Sequence, residues 1–231
     1  GAGRNFNLVF ELARARYFKW WAYDDLCKPE FLSQCVAVLD AEPGVVLAYP
    51  RTLLLNEEGH VFGDYADDLH LMSSSASARY RELFDKQGLC HAIYGVMRSD
   101  VLAQTALMTN IARGDRILLA DLVLYGKFWE VPDYLFYRRI HPQNSTTVLS
   151  TEADLTIWFD PDKSNKVLMP KWQRLLAYMD AVRRAPITPV EKMRCFGVLA
   201  RYTLKLDRWR GMIDDALRAS RQMRAKRLQR G

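Results

Sequence analysis

The sequence predicts an α/β domain that is followed by an α-helical extension. Helix-like and strand-like segments alternate as far as about residue 142, which is typical of a sheet flanked by helices. Beyond about residue 153 every periodic segment is helical, with no strand signal. We therefore expect an α/β domain over residues 1–150 and a helical extension over residues 151–231.

The composition indicates a folded domain with a basic end. Of the 231 residues, 49% are hydrophobic and 26% are charged, which allows a buried core. Between Arg201 and Gly231 there are ten basic and three acidic residues, so the net charge of +6 belongs to this tail. No apolar run is long enough to span a membrane, and no signal peptide is evident. Four cysteines without a CxxC pair disfavour a zinc site and indicate reduced thiols in a cytosolic protein.

The first part of the predicted domain combines helices with a hairpin. One apolar face at helical spacing predicts a helix over residues 4–14, and the aromatic run 17–21 is strand-like. Pro29 marks the start of a second helix that runs through Leu39. A buried strand is then predicted at 45–50, and a hairpin over 51–62 turns at Asn56–Gly59.

The second part repeats this alternation and ends in helices. The predicted segments are a polar loop at 64–78, a helix at 78–88, a strand at 91–98, a short helix or turn at 100–108, a helix at 115–126 and two short strands around Pro132 within 127–141. The helical extension comprises helices over 171–184, 189–206 and 207–227.

Two adjacent carboxylates, Asp24 and Asp25, follow the aromatic strand and precede the helix at Pro29. In open α/β sheets, ligands bind beyond the carboxyl ends of the strands. Carboxylates at that edge can hold Mg²⁺ or Mn²⁺ against a diphosphate, because these cations prefer oxygen ligands. The alternative interpretation is that the pair simply caps the helix that follows.

Several short motifs together resemble the GT-A glycosyltransferases of family 2. They are Gly3-Arg4-Asn5, Ala13-Arg14-Ala15-Arg16-Tyr17, Ala22-Tyr23-Asp24-Asp25 and the following KPEFL. The segment RGDRILLADLVLYGKFWEVPDYLFYRRIH resembles the second signature of that family. Asp24 and Asp115 are 91 residues apart, which is similar to the spacing in the family, and the resemblance runs from Gly1 to about His141.

The resemblance implies a mixed-sheet, nucleotide-diphospho-sugar transferase fold and an inverting enzyme. Such an enzyme moves a sugar from a nucleotide-diphosphate donor to a hydroxyl of a polysaccharide, lipid or other glycan acceptor. Asp115 matches the catalytic base, and Asp24 matches the last acid of the metal-binding Asp-x-Asp motif, with Asp25 beside it. Donor contacts are implied for Arg4, Asn5, Asp24 and His141. Gly95 is implied to lie under the acceptor, where a missing side chain leaves room.

Two further residues are candidates for the acceptor from the chain pattern. Trp20 and Trp21 are adjacent, so on a strand they face opposite sides; one belongs to the core, and Trp21 is our candidate for stacking on a sugar or base. Arg51 lies where a strand ends and is a candidate for an acceptor or phosphate contact. Arg138 and Arg139 either bind phosphate or form a solvated pair.

The sequence departs from the family pattern in ways that bear on function. The first acid of Asp-x-Asp is Ala22, the glutamate before the base is Gly114, and the glycine of the Ala-x-Gly-x-Tyr motif is Ala15. Family members place about three β-α units before the motif, whereas 23 residues precede Asp24. We therefore expect the metal and acceptor half of a catalytic domain, with the donor-nucleotide strands upstream of Gly1.

Two other functions remain open from the sequence. The chain could instead be a degenerate, non-catalytic module that binds a partner or an anionic membrane surface through its basic tail. A nucleotidyltransferase of related architecture is the third interpretation. No basic stripe with interleaved aromatic residues supports nucleic-acid binding. We expect a cytoplasmic location, peripheral to the inner face of the membrane if the tail binds lipid.

Overall fold

The computed structural model describes residues 1–86, 88–143, 148–149 and 151–228, and for 225–228 the backbone only. The helices are α1 Ala2–Leu12, α2 Glu30–Ala41, α3 Ala76–Lys86, α4 Ser99–Leu102, α5 Gly114–Leu122, α6 Glu152–Phe159, α7 Pro170–Arg184, α8 Pro189–Thr203 and α9 Leu206–Leu228. The strands are β1 Tyr17–Phe18, β2 Leu26–Cys27, β3 Val45–Leu55, β4 Val61–Tyr65, β5 Val96–Arg98 and β6 Lys127–Arg139. Two 3₁₀ turns cover His91–Tyr94 and Pro161–Lys163.

One mixed sheet in the order β1-β5-β3-β6-β2 organises the molecule, with β4 also paired to β3. The long central strands β3 and β6 run parallel, and the other neighbours are antiparallel. Because parallel strands point the same way, both end at one edge, where Ile140 donates its N–H to the carbonyl oxygen of Leu55 at 2.8 Å. This carboxyl edge is where ligands bind in α/β sheets.

Prolines interrupt the pairing of β3 and β6 without ending either strand. The register steps from Pro50–Val131 to Arg51–Tyr134, so Pro132 and Asp133 of β6 have no partner in β3. A proline cannot donate to the ladder and is tolerated at such a bulge. The prediction of two separate strands around Pro132 is therefore wrong, because the bulge lets one strand continue through the proline.

Two other predicted strands are shorter than the sequence suggested. In the aromatic run 17–21, only Tyr17 and Phe18 pair with a neighbour, and Trp20 instead donates its indole N–H to the carbonyl oxygen of Phe6 at 3.0 Å. In the segment 91–98, a 3₁₀ turn replaces the first half of the strand. The hairpin at Asn56–Gly59, the three C-terminal helices and the burial of Trp20 against an exposed Trp21 are confirmed.

Helices cover both faces of the sheet and create two apolar layers. On one face, α2 buries Phe31, Cys35 and Leu39 against β3, β5 and β6. On the other face, α3, α5, α7 and α8 form the larger core with the sheet. The mixed α/β fold and its helical C-terminal region are thus as predicted. Within the described residues, no helix is both long and apolar enough to cross a membrane.

Glu191 joins the helical extension to the α/β body. It lies in the first turn of α8, and its carboxylate accepts from the Ser77 N–H at 2.7 Å and from the Ser75 hydroxyl at 2.9 Å, at the start of α3. The unsatisfied N–H groups of a helix start favour a carboxylate. The hydrogen bond from the Ser77 N–H is the main reason that the pKa of Glu191 falls to about 2.

We expect Glu191→Gln to lower the free energy of unfolding by about 1 kcal/mol at pH 7, as for loss of a helix cap. A depressed carboxylate pKa adds stability above its unfolded value and loses it as pH falls. The difference between variant and wild type should therefore shrink from about pH 4.5 towards pH 2. Urea unfolding of both proteins at pH 7 and pH 3 measures this difference in the free energy of unfolding. Glu58→Gln is the control, because Glu58 is exposed. A pH-independent difference would contradict a role for the charge.

Candidate active site

The two acids predicted as metal ligands lie beside the end of β6, and each has a different partner. Asp25 is buried, and its carboxylate accepts from the Arg138 guanidinium at 2.7 Å and from the Arg139 backbone N–H at 3.0 Å. Asp24 Oδ2 lies 2.9 Å from His141 Nε2. The antiparallel pairing of β2 with β6 brings the acids to these residues, which follow them by more than 100 positions.

The environments of the two acids suit different roles. Burial raises the pKa of Asp25, and the adjacent Arg138 opposes that rise. Both carboxylate oxygens of Asp25 already accept hydrogen bonds, and its side chain has no exposed surface. The side chains of Asp24 and His141 retain 15% and 13% exposure, so this pair is the one that a ligand can reach.

Asp115, the predicted base, lies in the first turn of α5 at the wall of a cavity of about 210 Å³. Burial raises the pKa of this carboxyl, while the Arg116 N–H and the charges of Arg116 and Arg113 oppose the rise. Arg113 adopts a left-handed conformation with φ of 66° immediately before the helix. This turn places Arg113 and Asp115 in the same cavity.

Arg138 connects this cavity to Asp25. It lines the cavity together with Asp115, its guanidinium holds Asp25, and it lies 5.3 Å from the centre of the Tyr94 ring. The apolar part of the lining includes Phe6, Met108, Ile140, Leu155, Trp158 and Phe159. The cavity thus combines charged groups with apolar surface that can pack against a sugar ring or an apolar group.

A turn fixed by Asp67 forms another part of the wall. The Asp67 carboxylate accepts from the N–H groups of Cys90, at 3.1 Å, and Ala92, and burial raises its pKa to about 6. Between these residues lies His91, which lines the cavity and stacks 4.7 Å from the ring of Tyr65. Burial lowers the pKa of His91 to about 3, so this imidazole is neutral at physiological pH.

Of the predicted site residues, only Asp115 is among those that line this cavity in the described structure. Asp24, Asp25 and His141 lie beside the end of β6, and the other five lie elsewhere. Arg4 and Asn5 are exposed on α1. Trp21 is 51% exposed, with the Lys19 ammonium 4.0 Å above its ring. Arg51 donates from Nε to Glu130 Oε1 at 3.0 Å, in the middle of the sheet.

Gly95 makes room for β3. A Cβ built on this glycine would lie 2.7 Å from the Ala48 carbonyl oxygen and 2.7 Å from side-chain atoms of Leu47 and Tyr49. These distances are shorter than real Cβ contacts, and one of the atoms belongs to the backbone. The space expected under an acceptor is therefore occupied by the neighbouring strand.

Sequence reasoning did not select several residues that line the cavity. His91, Arg113, Trp158 and Phe159 lie in turns or in the helix after the α/β domain. Arg113 lies two residues before the matched acid Asp115, and that proximity was the available signal. The contribution of α6 depends on how the helical extension packs, and no local pattern encodes it.

The comparisons with known proteins give a fold and no family. No protein-family profile matches the chain, and no curated protein matches it. A crystal structure of S. aureus TarS 1–349 has a TM-score of 0.55 at 11% identity, covering 95% of this chain and 60% of that one. A second TarS crystal structure has a TM-score of 0.51 at 12% identity, covering 89% and 32%. These structural neighbours are glycosyltransferases, and at such identities the likeness shows that this chain shares their fold.

We expect Gly95→Ala to destabilise the protein by about 1–3 kcal/mol, because the added methyl group meets β3. Gly63→Ala is the matched control, since its Cβ would have no neighbour closer than 4.0 Å. Thermal unfolding of both variants measures the effect. A Gly95→Ala protein as stable as the control would show that β3 does not fill this space.

Proposed function

We propose that this chain forms the acceptor and metal half of an inverting glycosyltransferase. The observation that carries the proposal is the cavity that Asp115 and Arg138 both line, with the Arg138 guanidinium paired to Asp25 at the carboxyl edge of the parallel strands. The GT-A-like fold supports the same reaction class. This chain spans less than two thirds of the length of either TarS chain. The activity of a whole enzyme, including the binding of the donor nucleotide, is therefore proposed for this chain and not observed in it.

Asp115 would act as the general base. A sugar or lipid hydroxyl is a weak nucleophile until a carboxylate accepts its proton in the transition state. The raised pKa of Asp115 makes it a stronger base than an exposed aspartate. The apolar wall with Trp158 and Phe159 would orient the acceptor and exclude water, so that attack occurs from the face opposite the leaving diphosphate.

The acid pair fits a divalent cation that takes most of its ligands from the substrate. No group of three or more His, Cys, Asp or Glu side chains that could hold a metal occurs within the described residues. Mg²⁺ is commonly held by one or two carboxylates together with substrate phosphates. Asp24 and His141 would hold Mg²⁺ or Mn²⁺, which offsets charge on the diphosphate when bound. Asp25 would fix the turn by holding Arg138.

We expect Asp115→Asn to reduce kcat by about 10²–10⁴-fold, since the amide keeps the shape but cannot accept the proton. Wild-type activity should fall as pH drops through the Asp115 pKa, which lies above the ordinary aspartate range, because the protonated acid is not a base. The assay is transfer from a panel of UDP-, GDP- and dTDP-sugars by the protein as its cells produce it, with products identified by mass spectrometry.

The exposed Asp85→Asn is the matched control for that assay, because it makes the same substitution outside the cavity. Turnover by Asp115→Asn equal to that of the control would exclude Asp115 as the base. Absence of transfer by the wild type with every donor and acceptor tested would favour the non-catalytic module, which Ala22 and Gly114 also favour.

The asparagine variants of Asp24 and Asp25 should differ in metal binding and in stability. We expect Asp24→Asn to weaken Mn²⁺ binding in the presence of a nucleoside diphosphate at least tenfold, with little change in the melting temperature. Asp25→Asn should lower the free energy of unfolding by about 1.5–3 kcal/mol, because the mostly buried Arg138 loses its charged partner. Electron paramagnetic resonance of free Mn²⁺ measures the loss of metal binding, and thermal unfolding measures the loss of stability. The reverse pattern would assign the metal to Asp25.

A further inference from the structure

A second cavity, of about 220 Å³, lies within the helical extension, bounded by the start of α6 and by α7, α8 and α9. Its polar lining includes Glu152, Lys171, Arg174, Tyr178, Asp207 and Arg208. None of these residues lines the cavity that contains Asp115. This helical cavity is therefore separate from the candidate active site.

Three buried polar atoms at the helical cavity have no hydrogen-bond partner in the described structure. They are the Tyr178 hydroxyl, Glu152 Oε2 and Arg208 Nε. Tyr178 is 1% exposed, and the nearest acid to Arg208 Nε is Asp207 Oδ2 at 3.6 Å, which is too long for a hydrogen bond. Unsatisfied buried polar groups are rare, and three from three helices around one cavity point to a missing partner.

The size of the cavity and its charge describe that partner. One buried water needs only ~10–15 Å³ of such space, so 220 Å³ admits a small molecule. Arg174 Nη1 is already paired with Glu152 Oε1 at 3.1 Å. The Arg208 guanidinium lies 4.6 Å from the centre of the Tyr202 ring, and its nearest acid contact is the long one with Asp207. The Lys171 ammonium lies 3.4 Å from the Gly211 carbonyl oxygen. Three cations against two carboxylates leave a surplus of positive charge.

We propose that this cavity is a binding site for a small hydroxylated oxyanion. The anionic oxygens would accept from Arg208 Nε, the Lys171 ammonium and the Tyr178 hydroxyl, since guanidinium and ammonium groups are strong donors to oxyanions. A hydroxyl of the same ligand would donate to Glu152 Oε2, which is an acceptor only. Such a ligand satisfies all three unpartnered atoms, whereas a simple halide would leave Glu152 unsatisfied.

Tyr178 allows a test in which folding and binding are separable. We expect inorganic phosphate and tartrate to raise the melting temperature saturably, which a ligand of the native state does through mass action. Titrations to 20 mM at constant ionic strength in sodium chloride measure an apparent Kd for each. Phosphate represents a phosphoryl ligand, and tartrate represents a hydroxycarboxylate. The probe with the lower apparent Kd therefore indicates whether the acid group of the ligand is a phosphoryl or a carboxyl group.

Tyr178→Phe should weaken the binding of the better probe by about tenfold, the effect of losing one hydrogen bond to a charged group. Without a probe it should be as stable as the wild type, because the hydroxyl that it removes has no partner. Tyr80→Phe is the matched control: its hydroxyl is also buried and unpartnered, but Tyr80 does not line the helical cavity. It should keep the wild-type affinity.

Two results would overturn the proposal. One is the absence of saturable stabilisation of the wild type by both probes. The other is an equal loss of affinity in Tyr178→Phe and Tyr80→Phe, which would place binding elsewhere. Arg208→Gln gives an independent check, because it removes the charge and the unpartnered N–H together. It should abolish the saturable rise in melting temperature with either probe.

Discussion

The buried ion pair of Asp25 with Arg138 is the interaction on which the candidate site depends. The Asp25 carboxylate has no exposed surface, and a buried carboxylate is costly unless it is paired and hydrogen-bonded. Arg138 and the Arg139 N–H supply that pairing and thereby fix the turn that carries Asp24. The same Arg138 side chain lines the cavity that contains Asp115, so the ion pair connects the turn of the acids to that cavity.

The parallel pair of β3 and β6 provides the frame for this contact. A bulge at Pro132 lets β6 continue to Arg139, which places Arg138 and His141 at the edge where the acids lie. Had β6 ended at the proline, Asp25 would have lacked its partner. The proline is therefore compatible with the site only because the strand pairing tolerates two unpaired residues there.

The helical extension lines the cavity of the candidate active site and also packs on the α/β body. Glu191 ties α8 to α3, and α6 supplies Trp158 and Phe159 to the active-site cavity. The second cavity lies among the same helices, on residues that the α/β domain does not contain. The extension thus lines one cavity together with the α/β body and contains the other by itself.

The sequence by itself determined the alternation of helices and strands in the α/β body and the helical end of the chain. Local periodicity and turn residues encode these features directly. Only the tertiary structure decided that β6 is one strand, that Asp25 faces Arg138 while Asp24 faces His141, and that Gly95 makes room for β3. It also decided that α6 lines the cavity. Each of these depends on contacts between residues far apart in the chain, which a local pattern does not specify.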